Sequence, residues 1–286
     1  MQQAHLTAWQ THAPWPKRSQ IEQDLRLARG VAAIFRDDVL SKHLAMRGGT
    51  VLHKAHLAPA SRYSEDIDLV LTKAMPTDQL EGRLVRVLKP ILGKPAPSLI
   101  ADAWLTVRNM VKPSKILRIT FEFVPLGLQR AEKIKVEVNL NEERALYSLV
   151  DVGLAMLDDE GDLVQAQVRS YDINEMMGTK TRALMQRKQG RDLFDLWYAW
   201  DMSQAGRTPY AVDGKKAMEA FEWYLHNEGG PGIGQAEANQ KLDERLQDRG
   251  FRMDMSTLLR PGADTFDVDA AAGAVRTAFF AHLTGR

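Results

Sequence analysis

The sequence predicts an α+β fold: an N-terminal domain built on a mixed β-sheet with flanking helices, followed by an all-helical C-terminal domain. Three observations carry this. The segments 115–124 (KILRITFEFV) and 133–140 (KIKVEVNL) alternate apolar and polar residues with period two and are rich in β-branched residues, which marks two strands. A third apolar run, 64–71, carries Asp66 and Asp68 at alternate positions, so it reads as a strand with both carboxylates on one face. From Asp172 the period changes to that of a helix, and Gly229-Gly230-Pro231-Gly232 and Arg260-Pro261-Gly262 punctuate the rest of the chain. The expected domains are therefore 1–170 and 171–286.

Residues 1–18 are polar with two prolines and read as a loosely organised arm with a short helix around Thr7 to Trp9. Residues 19–36 place Ile21, Leu25, Leu27, Ala28, Val31, Ile34 and Phe35 at helical spacing. Residues 37–46 are expected to form a second helix or a short element leading into Gly48-Gly49-Thr50, where a short helix begins and runs to about His56. A loop containing Pro59 comes next, then the acidic strand. A helix is expected over 77–90, ending before Gly93-Lys94-Pro95. Between 98 and 111 strand and helix compete, with a strand favoured near Ala103 to Asn109. One more short strand is expected at 163–171. Asp172 is the expected N-cap of the next helix, with Glu175 completing a capping box. That helix runs to about Gln189 and breaks at Gly190. Further helices are expected over 191–203, 209–227, 234–249 and 264–284.

Composition bounds the function. The 286 residues are 44% apolar and 26% charged, ordinary values for a globular protein with a sizeable core. A net charge of +1 argues neither for nor against nucleic acid, so any basic footprint must come from local clustering. Without cysteine there can be no disulfide, thiol nucleophile or thiolate metal site. No window approaches a membrane span of ~18 apolar residues, and the N-terminus lacks a signal-peptide run. The expectation is a cytoplasmic protein with no membrane partner.

The chemistry gathers in Arg47 to Leu71. Asp66 and Asp68 repel each other, and a divalent cation, Mg²⁺ or Mn²⁺, is the usual way to offset that cost. The bland alternative is a solvent-facing pair. Glu137, opposite the apolar set of its strand, is the candidate third carboxylate, and three carboxylates can hold two metal ions. Its alternative reading is a surface acid paired with Lys133 or Lys135. Gly48, Gly49 and Thr50 offer backbone N–H groups that can approach phosphate oxygens closely, or are only a loop and a helix start. A second cluster, KTRALMQRKQGRDLFD, carries Lys180, Arg182, Arg187, Lys188 and Arg191 with no acid between Gly178 and Arg191. Lys180 and Arg187 share a helix face; Lys180 could reach a triphosphate, and Arg187 and Arg191 could hold phosphates or an RNA backbone. The alternative is an ion-paired helix–turn–helix in which Asp192 and Asp195 partner these bases. His53 and His56 have no third ligand nearby and are read as surface residues. Trp197, Trp200 and Trp223 fall at helical spacing and are read as core.

The blocks MRGGTVLHKAHL…SRYSEDIDLVL, KVEVNL and INEMMGTKTRALMQRKQGRDLFDLWYAW together resemble the AbiEii/AbiGii-type nucleotidyltransferase toxins of the DNA polymerase β-like superfamily. The resemblance covers roughly residues 30–205, and no family signature is evident beyond it. It implies a nucleotidyltransferase-type sheet and transfer of a nucleotide from NTP to an acceptor, with pyrophosphate released. The implied metal ligands are Asp66, Asp68 and Glu137, and the implied catalytic set adds Lys180 and Asp192, with Asp195 as the alternative acid. The resemblance implies Gly49 and Thr50 as the phosphate-contacting turn, and with the neighbouring residues and the basic cluster the expected nucleotide-binding set is Gly48, Gly49, Thr50, Ser64, Lys180, Arg187 and Arg191. Implied partners are an NTP, an RNA acceptor (the tRNA acceptor end above all) and a cognate antitoxin, in a toxin–antitoxin or phage-defence setting. A protein or small-molecule acceptor, and a non-catalytic member that binds a partner, are the rival expectations.

Overall fold

The computed structural model describes residues 1–107, 110–141, 144–227, 229–262 and 266–285, with the backbone alone over 101–114. Two compact units result. The first comprises Met1–Ala103, Ser114–Ala145 and Leu149–Tyr171; the second comprises Trp104–Pro113, Leu146–Ser148 and Asp172–Arg286.

The first unit opens with helices α1 (Gln3–Gln10), α2 (Arg18–Arg36) and α3 (Leu40–His43), then strand β1 (Leu44–Arg47). A single turn, α4 (Gly48–Val51), runs into a π-helical turn over Leu52–His56 and is followed by β2 (Asp66–Leu71) and α5 (Thr77–Leu92). Strands β3 (Lys94–Pro95), β4 (Leu99–Val107), β5 (Met110–Phe123), β6 (Glu132–Asn139), β7 (Val150–Leu157) and β8 (Leu163–Ser170) complete an eight-stranded mixed sheet of order β3-β5-β6-β2-β1-β8-β7, with β4 on β5. β2 lies parallel to β6 and antiparallel to β1. The apolar face of α2 covers the sheet. A Cβ on Gly30 would sit 3.1 Å from Leu92 Cδ2 and 3.5 Å from Ile67 Cδ1, so this helix approaches both α5 and β2 closely. In α5 the buried side chains are Leu80, Leu84, Leu88 and Leu92, a single stripe at i, i+4 spacing.

The predicted α+β class holds, and the differences from expectation have physical causes. Residues 37–46, expected as a second helix or a short element, divide into the helical turn α3 and the start of strand β1, and nothing in their pattern marks the strand. Leu44, Ala45 and Met46 are buried between β2 and β8, so both faces are apolar and the alternation disappears. β7 has no predicted counterpart, because Gly153 and Ala155 on its outer face blur the period of VDVGLAML. The N-terminal arm is not loose: Leu6, Trp9, Ala13 and Trp15 are buried. Nor are the two histidines at the surface. His53 Nδ1 lies 3.0 Å from Ser61 Oγ, and His56 Nε2 lies 3.0 Å from Ser170 Oγ, both fully inside.

His56 makes a pH prediction. Burial pushes its pKa down to about 4 from an ordinary value near 6.5. Below pH ~6.5 the unfolded chain therefore binds a proton that the folded chain refuses. The stability is full above that pH and is lost as pH falls through about 4, by on the order of 3 kcal/mol in all. His56→Gln should flatten the fall of the urea midpoint over this window. An unchanged slope would refute the assignment.

The second unit is helical apart from its short contributions from 104–113 and 146–148: α6 (Ile173–Gln186), α7 (Gly190–Gln204), α8 (Gly214–Asn227), α9 (Gln235–Leu246), α10 (Arg249–Met253) and α11 (Val268–Ala278). α6 and α8 cross at Gly178, where a Cβ would come within 2.8 Å of the Ala217 carbonyl oxygen and the Phe221 nitrogen. Asp172 does cap α6, accepting from the Asn174 N–H at 2.8 Å. Glu175 does not close a capping box. Fully buried, it accepts from the N–H groups of Leu146 and Tyr147 (2.9 Å each) and from the Tyr224 hydroxyl (2.7 Å). At the other end of α6, Arg245 donates to the carbonyls of Met185 (2.7 Å) and Arg187 (3.2 Å), a cation on the negative end of the helix. Trp197, Trp200 and Trp223 are only half-buried. Trp197 joins Phe194, Tyr198 and Phe266 in an aromatic cluster, and Trp200 meets Phe279 edge-on. The helix expected from 264 begins at Val268, and residues 263–265 lie outside those described. No described helix is long and apolar enough to cross a membrane.

Candidate active site

The sheet register of the first unit sets the acids in rows. Across β5, β6, β2 and β1 one row reads Arg118, Glu137, Asp68, Arg47; beside it a second reads Thr120, Lys135, Asp66. Period two puts all of these on one face while Ile67, Leu69, Val136 and Val138 fill the core. Arg118 donates to Glu137 at 2.7 Å, and the Lys135 ammonium stands 3.9 Å from Asp66. The partner expected for Glu137 was Lys133 or Lys135; instead Lys133 pairs with Glu122 at 3.2 Å. Asp66 and Asp68 are half-buried. Burial, and after it the charge of Asp68, pushes the Asp66 carboxyl up to about 6, against the pull of Lys135. Two crowded hard-oxygen donors of this kind fit a divalent cation. Among the described residues no three acids or histidines converge on a metal-binding point, so the fit is to the Asp66–Asp68 pair, with Glu137 held by Arg118.

The Gly-Gly-Thr turn is shaped by what touches it. Gly48 has φ +86°, and a Cβ there would lie 2.1 Å from Asp68 Oδ2. Only glycine admits both the backbone conformation and the carboxylate. A Cβ on Gly49 would lie 2.4 Å from Nη2 of the buried Arg62. Thr50 is fully buried and donates to the Asp66 carbonyl at 2.5 Å. Its single proton being spent there, Ser64, at 2.7 Å, must donate to the Thr50 oxygen. Thr50 and Ser64 therefore brace the start of β2 with their hydroxyls. What the turn offers an anion is backbone, since the first N–H groups of a helix have no acceptor within it.

In the second unit the bases and acids of 180–195 pair among themselves. The Lys180 ammonium lies 2.7 Å from Asp195 Oδ2 and 3.6 Å from Asp192 Oδ1, with all three side chains buried. Asp192 is instead gripped by Arg187, whose Nε and Nη2 donate at 2.7 and 2.9 Å. Arg191 faces Asp254 at 3.3 Å. The ion-paired helix–turn–helix is thus the observed arrangement, and the close acid to Lys180 is Asp195, not Asp192.

Residues 31–276 match the family described as nucleotidyl transferase AbiEii toxin, type IV toxin–antitoxin system. The chain belongs to the AbiEii family. The match runs well past residue 205, where the sequence itself shows no signature. Two solved structures share the fold. JHP933 from Helicobacter pylori is 15% identical, with 92% of this chain and 90% of that chain covered and a TM-score of 0.52. MenT4, a nucleotidyltransferase toxin from Mycobacterium tuberculosis H37Rv, is 17% identical, with 98% and 88% covered and a TM-score of 0.53. No curated protein matches. As an AbiEii member the chain is a nucleotidyltransferase that uses NTP, and the toxin of a type IV system whose counterpart is an antitoxin.

Sequence reasoning missed Arg118, Arg62 and Arg47 as neighbours of this site. Arg62 and Arg47 flank the motif and carried a signal. Arg118 carried none, because its pairing with Glu137 depends on the β5–β6 register.

Proposed function

We propose that this AbiEii enzyme is a divalent-metal-dependent transferase that adds a nucleotide from NTP to RNA, most specifically to the acceptor end of tRNA, in the cytoplasm. The observation that carries the reading is the Asp66–Asp68 pair on one strand face, with the glycine-only turn at Gly48 against Asp68. An RNA hydroxyl attacks the α-phosphate of the NTP. The new oxygen–phosphorus bond forms as the bond to the β-phosphate breaks, and pyrophosphate leaves. Asp66 and Asp68 would hold a divalent cation, which would supply charge stabilisation for the displacement. Glu137, oriented by Arg118, takes up the hydroxyl proton. Backbone N–H groups of Gly48, Gly49 and Thr50 bind the terminal phosphates, with Ser64 bracing the turn. In the second unit, Lys180 held by Asp195 neutralises phosphate charge, Asp192 fixes Arg187, and Arg187 and Arg191 contact phosphate or RNA backbone.

The test is a transfer assay with each labelled NTP, with and without Mg²⁺, against separate RNA, protein and metabolite fractions. Label should enter the RNA fraction, in tRNA, only with metal present. Label in protein or small molecules would replace the RNA assignment, and transfer undiminished by chelation would overturn the metal role.

A further inference from the structure

A buried carboxylate in the first unit takes no part in the chemistry above. Asp24, on α2 and fully inside, accepts from Nε1 of Trp9 and Nε1 of Trp15, each at 2.8 Å. The Lys54 ammonium closes on it at 2.5 Å. Lys54 also lies over the Trp9 ring, 5.9 Å from its centroid. Lys54 belongs to the π-helical turn Leu52–His56, which continues without a break from Gly48-Gly49-Thr50-Val51. A buried ion pair of this kind is weak evidence for stability, because desolvation offsets its attraction. Geometry is what it fixes: one carboxylate receives three donors from three separate segments.

We infer that the Asp24 cluster is a positioning device for the nucleotide-binding turn, tying the N-terminal arm to the residues that meet the phosphates. The turn is then held from two sides. Thr50 ties it to β2 through the Asp66 carbonyl, and Lys54 ties it to α2 through Asp24. Trp9 and Trp15 complete the carboxylate's donors, so it cannot turn away from Lys54 toward another partner. The wide π turn, the cluster and the glycine turn form one connected piece. Loss of an indole N–H lets the carboxylate and Lys54 shift, and the shift passes along the turn to Gly48–Thr50. The inference rests on the reading of that turn as the phosphate site.

The full chain, with Trp9→Phe, Trp15→Phe and the double variant, tests it. Both replacements keep an aromatic ring in place and remove one donor each. Each protein is titrated calorimetrically with ATP, CTP, GTP and UTP in Mg²⁺, and the tightest-binding NTP is carried into the transfer assay. We expect the double variant to bind that NTP on the order of 10-fold more weakly, with KM for NTP raised to match, since misplacement by about 1 Å costs up to ~10²-fold. KM for the acceptor should stay unchanged. Lys54→Met should show the same split and Lys54→Arg should restore most of it. Unchanged NTP affinity in the double variant, or a loss of active protein with both KM values unchanged, would overturn the inference. Asp68→Ala separates the two readings: if it loses Mg-NTP binding while the tryptophan variants do not, the site stands and the positioning role falls. If the wild type binds none of the four NTPs, or Asp68→Ala binds as well as wild type, the site reading fails and the inference with it.

Discussion

Asp68→Ala should reduce nucleotidyl transfer by on the order of 10³-fold while the protein remains folded. A carboxylate that helps hold a catalytic cation is worth several kcal/mol of transition-state charge stabilisation, and each 1.36 kcal/mol is a factor of ten in rate. The half-buried side chain fills no core space, so its removal leaves the apolar face of β2 untouched. Asp68→Asn is the sharper variant. It keeps the shape packed against Gly48 and removes only the charge, so it should be nearly as inactive as alanine. Loss of the Asp68 charge should also let the Asp66 carboxyl fall back toward the usual carboxylate range, because that charge contributes to holding it near 6. The labelled-NTP assay reads the rate, and survival on induced expression reads the toxicity. Transfer within a few-fold of wild type would remove Asp68 from the mechanism.

Asp195→Ala should have the largest effect on stability. Lys180, Asp192, Asp195 and Arg187 form a neutral set of two cations and two anions, of which all but Arg187 are buried. Removing Asp195 leaves the Lys180 ammonium with only the more distant Asp192, which Arg187 already holds bidentately. Breaking a buried pair from one side costs about 3–5 kcal/mol, because the surviving charge is stranded. The double variant Lys180→Met, Asp195→Leu removes both charges together and should recover most of that loss. Arg187→Ala should cost less, since the buried Asp192 keeps the Lys180 ammonium 3.6 Å away and the half-exposed space left by Arg187 admits water to it. Urea titration of the three variants orders them, and equal losses for Asp195→Ala and the double variant would refute the account.

What could be read in the sequence was what repeats locally. β5, β6, β2 and β8 announce themselves by alternation, α2 and α5 by helical spacing, and the Asp66–Asp68 face by simple parity. β1 was hidden because a strand buried on both faces has no period. Glu175 resembled a capping residue because acids favour the first turn of a helix, yet burial against Tyr224 and the 146–147 backbone won. In the site, the motif identified the acids and the turn, but not what holds them. The Arg118–Glu137 and Lys54–Asp24 pairs join residues of separate elements, and a single chain of letters leaves such pairings unmarked, whereas the Lys180–Asp195 pair falls within one basic and acidic cluster and was among the readings open to the sequence.

The position of β2 between a near and a distant partner has a consequence for when the row of acids can form. Its antiparallel neighbour β1 is made just before it, whereas its parallel neighbour β6 emerges only after α5, β4 and β5. A nascent chain that has just displayed Asp66 and Asp68 holds them on an open edge, with neither Glu137 nor Lys135 alongside. Pairing over such a separation is slow because the intervening loop must close first. β2 therefore remains an open edge until about half of the 286 residues have been made, and the row that sets Asp68 beside Glu137 exists only once β6 docks.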